Sequence, residues 1–241
     1  MKKTYIAAVI FSLALVPATS FAQLKLPKVI KDKIGGGSGV SENEAGLGIK
    51  EALTKGVTTA VLNLNKTDGF FGSDIYKVLL PPDAVKIETT LRKAGMGSQV
   101  DKAILAINRG AEDAVLFAKD IFISAIKEMT VTDALNIVRG NKDAATQYFR
   151  QKTTEKLIAA FTPSVKSSLD KVDATKYYGD IVNTYNGFPT TFKKVNPDLP
   201  SFVVGKAVEA LFDQVAKEEA NIRENPLART SDILKKVFGG K

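Results

Sequence analysis

Apolar residues recur at steps of three and four along most of the chain after residue 40, a spacing that places them on one face of an α-helix. The first such stretch follows Ser41 and Glu44, whose spacing is that of a capping box at a helix N-terminus. The stretch ends near Asn65, and its apolar positions are Ile49, Leu53, Val57, Ala60, Val61 and Leu64. This pattern predicts an amphipathic helix over residues 41–65.

Turn residues divide the rest of the chain into further predicted helices. Pro81-Pro82 opens a helix that Gly95 is placed to cap. The longest apolar stripe runs from Ser98 to Ile126, and its many alanines favour close packing, so we expect a central helix there. Further helices are predicted over residues 130–140, 143–161, 176–186 and 201–225, with others starting at Pro163 and at Thr230.

Together these elements predict an all-α protein, a single-domain, multi-helix bundle of about seven to nine helices around a long central helix. No internal repeat or low-complexity linker divides residues 41–241, so we expect one helical domain over that range. The chain has no cysteine, and therefore its stability must come from a hydrophobic core rather than from disulfides.

The N-terminus has the three parts of a secretory signal peptide. Lys2 and Lys3 precede the apolar run YIAAVIFSLALV, and Pro17 follows it before the small residues at Ser20 and Ala22. The pattern predicts that residues 1–22 are removed and that the mature protein is periplasmic, with secretion as the alternative. An uncleaved anchor is not favoured, because a membrane-spanning helix needs about 20 apolar residues.

Residues 23–40 combine basic and flexible character. The chain has a net charge of +8, and this segment carries four lysines against Asp32 and then a run of glycines. We expect a basic, Gly-rich flexible leader, for which weak contact with an anionic membrane surface is the functional alternative to a solvated linker. Nucleic acid is not an expected partner, because no basic face with interleaved aromatic residues occurs.

Composition removes most enzyme chemistries. The chain has no histidine and no cysteine, which excludes Ser-His-Asp catalysis, thiolate nucleophiles, His-ligated zinc and iron–sulfur clusters. It also lacks the Gly-rich phosphate-binding motifs, so no cofactor and no metal is expected. The remaining possibilities are catalysis by carboxylates, catalysis by a Ser–Lys pair, or no catalysis.

Polar residues on apolar helix faces are the most informative signal. Glu219 falls on the apolar face of the helix over residues 201–225, and Arg223 lies one turn further at the edge of that face. In the central helix, Asn108 lies within the stripe and Glu112 at its rim, whereas Arg109 points away from it. A buried acid is costly unless it is paired, so these groups form either a satisfied network that fixes helix register or the floor of a polar cleft.

Several segments together carry a resemblance to one family, namely residues 45–53, 68–70, 108–112, 125–130, 133–134, 143–149, 218–219, 222–223 and 226–238. They resemble domain of unknown function family 4197, a family of exported bacterial proteins, and the resemblance covers about residues 41 to 239. Gly110 is a local departure, because the family usually has alanine there. The resemblance implies an exported helical domain and supplies no activity or catalytic residue.

The first functional hypothesis is a non-enzymatic envelope protein that binds a small anionic or lipid-like ligand, or an envelope protein partner, in a polar cleft between helices. The predicted cleft residues are Asn108, Arg109, Glu112, Tyr148, Glu219, Arg223 and Arg229. The alternatives are a carboxylate-dependent hydrolase of envelope glycans and a purely structural protein. The hydrolase needs two carboxylates on a groove, about 5–5.5 Å apart in a retaining enzyme or about 6.5–9.5 Å apart in an inverting one.

Overall fold

The computed structural model describes residues 41–187, 189 and 193–225. The predicted signal peptide over residues 1–22, the leader over residues 23–40 and the helix that starts at Thr230 lie outside the described residues. All described residues belong to one compact unit, Gly39–Lys241.

The described residues form α-helices and no strand, so the all-α prediction is confirmed. The helices are α1 (Glu42–Asn65), α2 (Val85–Lys93), α3 (Gly97–Val115), α4 (Ala118–Glu128), α5 (Val131–Arg139), α6 (Ala144–Asp170), α7 (Ala174–Gly187) and α8 (Leu199–Glu224), with one 3₁₀ turn at Pro82–Ala84. No helix in this part of the chain combines the length and the apolar character that a bilayer span requires.

Local sequence explains where several helices begin. The Ser41 side chain accepts a hydrogen bond from the Glu44 backbone N–H while the Glu44 carboxylate accepts one from the Ser41 backbone, which confirms the predicted capping box. Thr130 and Asp133 cap α5 in the same way. Each pair satisfies N–H groups that the first turn of a helix otherwise leaves without a partner.

The single long helix predicted from Ser98 to Ile126 is wrong, because the chain breaks into α3 and α4 at Leu116 and Phe117. Both residues keep right-handed helical backbone angles, and one tight turn of short-range hydrogen bonds joins the two helices. Apolar residues therefore continue to recur every three or four positions through the break, and periodicity alone does not reveal the break. The longest helix is instead α6.

The predicted break before Pro163 is also wrong, since Pro163 lies inside the continuous helix α6. Proline removes one helical hydrogen bond and leaves the carbonyl four residues earlier without a partner. Here both Pro163 and Ala159 are exposed, so the missing hydrogen bond lies on the solvent-facing side of the helix. The buried stripe of Leu157, Phe161, Val165 and Leu169 continues at steps of four across the proline and holds the helix together.

The core lies where α3, α6 and α8 pack against one another, with α1 and α4 closing it. Its largest fully buried side chains are Phe70, Phe122, Phe149, Phe161 and Phe212. Gly110 lets α3 approach α6 closely, because an added Cβ would meet the Ser168 Cβ at 3.0 Å. Glycine at this crossing therefore allows α3 and α6 to pack closely.

Helix α2 is different, because none of its residues is buried. The 3₁₀ turn precedes it, and Gly95 follows it with a φ of +80°, which confirms the predicted glycine cap. Arg92 ties α2 to α3 through an ion pair with Asp101 at 2.8 Å. Helix α2 therefore borders the bundle and packs against its core only through partly buried side chains such as Ile87.

Candidate functional site

Residues 66–81 form a non-helical connection between α1 and the 3₁₀ turn, which we call the strap, and Asn108 fixes its second half. The Asn108 Oδ1 accepts a hydrogen bond from Val78 N at 2.8 Å, and its Nδ2 donates to Val78 O at 2.8 Å and to Ile104 O at 2.7 Å. Asn108 is fully buried. Its amide thus pairs with both backbone groups of Val78.

Glu112 and Arg109 fix the first half of the strap. The buried Glu112 Oε1 accepts hydrogen bonds from Phe70 N and Phe71 N, each at 3.1 Å, and its Oε2 pairs with the Arg109 guanidinium. Arg109 also reaches Asp68 at 2.8 Å, and its hydrogen bonds to Glu112 and then Asp68 raise the pKa of the guanidinium. Two backbone amides and one cation therefore surround the Glu112 carboxylate.

Tyr76 anchors the strap to α8, a contact that sequence analysis missed. The half-buried Tyr76 hydroxyl donates to Asp213 Oδ2 at 2.6 Å and accepts from Lys217 Nζ at 2.7 Å. Burial, and then the hydrogen bond to Asp213, raises the pKa of this phenol, so Tyr76 stays neutral at physiological pH. Asp213 and Lys217 pair across one turn of α8 at 2.9 Å, a contact that their spacing permits, but no sequence pattern identifies Tyr76 as their partner.

Glu219 and Arg223 close the N-terminus of α6. Asp143 precedes that helix but caps none of its amides. The Glu219 carboxylate instead accepts from Ala145 N at 3.0 Å, from Thr146 N at 2.9 Å and from the Thr146 hydroxyl at 2.8 Å. Arg223 donates to Glu219 Oε1 at 2.7 Å and to Ile137 O at 2.8 Å. An acid on α8 therefore takes the place of an N-cap on α6.

The remaining predicted site residues do not join these groups. The Tyr148 hydroxyl donates to Ala125 O at 3.3 Å, and burial raises the pKa of its phenol. Arg229 lies outside the described residues. Among the described residues, no contact links the pair Asn108 and Glu112 to Glu219, so the predicted residues form two separate clusters.

The space beside Glu219 is too small for a ligand. The cavity there, between α1, α5, α6 and α8, has a volume of about 30 Å³. One water needs about 10–15 Å³ by this measure, whereas ligand pockets usually measure about 300–1,000 Å³. These contacts and this volume favour the register-fixing alternative for Asn108, Glu112 and Glu219, and their role in ligand binding stays a prediction.

A larger concave surface lies between α2, α3 and α7, which we call the α2 groove. Its inner part has a volume of about 250 Å³, and its outer part, which shares Ile87, Leu91 and Ile181 with it, about 390 Å³. Met96, Val100 and Ala103 continue the apolar wall of the inner part. Sequence analysis missed this groove, because the apolar pattern of a helix shows which face is covered and not whether its neighbours close against each other.

Polar groups are few in the α2 groove. Tyr178 lies in its inner part, where its hydroxyl donates to Asn196 O at 3.2 Å, and burial followed by the nearby Asp83 raises its pKa to about 12. Lys102 is the one charged residue in the described lining of the inner part, whereas Lys86 and Asp180, of opposite charge, both line the outer part. The groove is therefore a mainly apolar channel with one uncompensated positive charge.

Comparisons with known proteins identify the family and no activity. No curated protein and no solved structure matches this chain. The family model described as "Protein of unknown function (DUF4197)" matches residues 39–239, which include every described helix. The chain therefore belongs to the DUF4197 family.

Proposed function

We propose that this chain is an exported, non-enzymatic binding protein that takes an apolar ligand in the α2 groove. The observation that carries the proposal is the unfilled apolar space beside α2, a helix with no buried residue. Exposed apolar walls cost free energy in water, and a ligand that covers them recovers it. We therefore place ligand binding in the α2 groove and not at the polar cleft that the sequence predicts.

The groove has the size and lining of a small-molecule site. Its two parts, at about 250 and 390 Å³, approach or fall within the usual range of about 300–1,000 Å³. Leu91, Met96 and Ile181 supply apolar contact, while Gln99 and Lys102 add a few polar atoms at one end. Mostly apolar walls with a few polar groups are typical of ligand pockets.

The hydrolase alternative gains no support from Glu112 or Glu219, the two buried carboxylates of the predicted cleft. Glu112 and Glu219 each accept hydrogen bonds from two backbone amides and pair with an arginine. A general acid needs a proton to give, and a nucleophile needs a free lone pair beside a substrate groove. Both carboxylates are engaged elsewhere, so we favour binding over catalysis.

Export is the second part of the proposal, and the charged, apolar and small-residue parts of residues 1–22 support it. We expect the mature protein to begin at Gln23 and to be recovered from the periplasm, or from the medium if it is secreted. Intact-mass measurement of protein purified from the cell envelope tests this, and a mass that includes residues 1–22 would contradict it.

A bulky side chain in the groove is expected to weaken the binding of apolar probes. Ala103 is half-buried and lines the inner part, so Ala103→Trp places an indole where the ligand would lie. We expect the Kd of the fluorescent probe N-phenyl-1-naphthylamine to rise at least about tenfold, which corresponds to the loss of about 1.4 kcal/mol of binding free energy.

Ala160→Trp is the matched control, because Ala160 is a half-buried alanine in a crevice beside Pro163 and Lys171, outside the α2 groove. Circular dichroism spectra and Tm values of both variants show whether the fold is kept. Equal probe affinities for the two folded variants would rule out the groove as the binding site.

A further inference from the structure

The inner part of the α2 groove has one charge that no neighbour compensates. Lys102 is exposed at its edge, and no ion pair involves it within the described part of the chain. Asp101, its neighbour in sequence, is engaged, since Arg92 binds Asp101 at 2.8 Å and Glu88 at 2.9 Å. Lys102 is therefore available to a negative group bound in the inner part of the groove.

The outer part of the groove is electrically balanced. Lys86 on α2 and Asp180 on α7 are its charged lining residues, and they have opposite signs. The apolar surface that joins the two parts consists of Ile87, Leu91 and Ile181. The α2 groove therefore has an apolar wall that runs through both parts and a positive charge, Lys102, in its inner part only.

We propose that the ligand of the α2 groove is a long-chain carboxylate, an anionic amphiphile with a single chain. Its chain lies along Ile87, Leu91 and Ile181, and its carboxylate pairs with Lys102. The inference rests on the proposed function, because it requires that the groove bind an apolar ligand at all.

Charge and shape both select this class of ligand. Each methylene that the apolar wall covers contributes up to about a fourfold gain in affinity, so affinity rises with chain length until the wall is covered. A cationic amphiphile would place its head beside Lys102 and be repelled. A neutral alcohol of the same length gains the chain contacts and forgoes the ion pair.

The test compares three ligands of one chain length with the purified protein. Dodecanoate, dodecanol and dodecyltrimethylammonium are each titrated as displacers of N-phenyl-1-naphthylamine at about 0.15 M salt, the two ionic ligands below their micelle concentrations and dodecanol below its solubility limit. We expect dodecanoate to bind up to about fivefold more tightly than dodecanol, which is the upper end of the gain from a solvent-exposed ion pair. The cation is expected to bind most weakly.

Substitution of Lys102 tests whether its positive charge causes the preference for dodecanoate. Lys102→Met is expected to bring dodecanoate to the affinity of dodecanol and to leave dodecanol unchanged. Lys93→Met, on an exposed α2 lysine outside the described lining, is the matched control and is expected to change neither. A preference for dodecanoate that persists in Lys102→Met, or equal binding of all three ligands to the unsubstituted protein, would overturn the inference.

The outcomes separate the two proposals. If the three ligands bind equally and Ala103→Trp abolishes all binding, the proposed function stands and the ligand class is wrong. If none of them binds and the probe is not bound either, the proposed function fails together with the inference.

Discussion

Replacing Glu219 with alanine is expected to lower the free energy of unfolding by about 3–5 kcal/mol, the cost of breaking a buried ion pair. The substitution leaves Arg223 without its carboxylate and the Ala145 and Thr146 amides without an acceptor. The cavity of about 30 Å³ beside them has room for water, but a water molecule carries no negative charge to replace the carboxylate that pairs with Arg223. For a chain of this size, Tm should fall by roughly 6–20 °C.

Glu209→Ala is the matched control on the same helix. Glu209 forms an ion pair with Lys206 at 2.8 Å, but its side chain is 65% exposed. Removing this pair is expected to change the unfolding free energy by at most about 0.5 kcal/mol in urea denaturation. If Glu219→Ala cost no more than Glu209→Ala, Glu219 would not be a structural group, and the cleft role predicted for it would regain support.

Asn108→Asp is expected to destabilise the protein by at least about 3 kcal/mol at neutral pH, although the two side chains have the same shape. The Asn108 Nδ2 donates to two backbone carbonyls, Val78 O and Ile104 O. An aspartate would place a carboxylate oxygen against both carbonyl oxygens in a fully buried position. Three electronegative oxygens would then meet without a proton between them.

The loss of stability in Asn108→Asp should depend on pH in a defined direction. Burial and the two carbonyls raise the pKa of the new carboxyl group above its value of about 3.9 in the unfolded chain. Between those two pKa values the folded state holds the extra proton, so the stability of the variant falls as pH rises. The deficit relative to the unsubstituted protein is therefore smallest below about pH 4 and largest at neutral pH.

Asn183→Asp provides the control for Asn108→Asp, because Asn183 is an exposed asparagine on α7. It is expected to remain within about 0.5 kcal/mol of the unsubstituted protein across the same pH range. Urea denaturation curves at several pH values measure both variants. A pH-independent deficit in Asn108→Asp would mean that the loss comes from packing and not from the buried charge.

Features that depend on neighbouring residues could be predicted from the sequence. The Ser41–Glu44 and Thr130–Asp133 caps involve residues three apart, and Glu219 and Arg223 are one turn apart on one helix. In each case the geometry of a single helix determines the contact. The burial of Glu219 and of Asn108 followed in the same way from their positions on apolar faces.

Features that depend on distant partners could not be predicted. Asn108 binds the backbone of Val78, and Glu219 binds amides more than 70 residues earlier in the chain. Every residue offers the same backbone N–H and C=O, so no side-chain pattern indicates which of them will be chosen. The break between α3 and α4 after Val115 and the continuity of α6 through Pro163 likewise depend on packing and solvent exposure, which the periodicity of apolar residues does not show.

The way α6 begins has a consequence for the order in which the protein becomes native. The first turn of α6 is completed by Glu219, which is synthesised 73 or more residues after the amides that donate to it. Arg223, which pairs with Glu219, also donates to the Ile137 carbonyl 86 residues earlier. A nascent chain that ends before α8 lacks this closure and also the third central helix of the core. We therefore expect native packing of the bundle only after α8 has been synthesised, so shorter nascent chains should remain without a fixed tertiary structure.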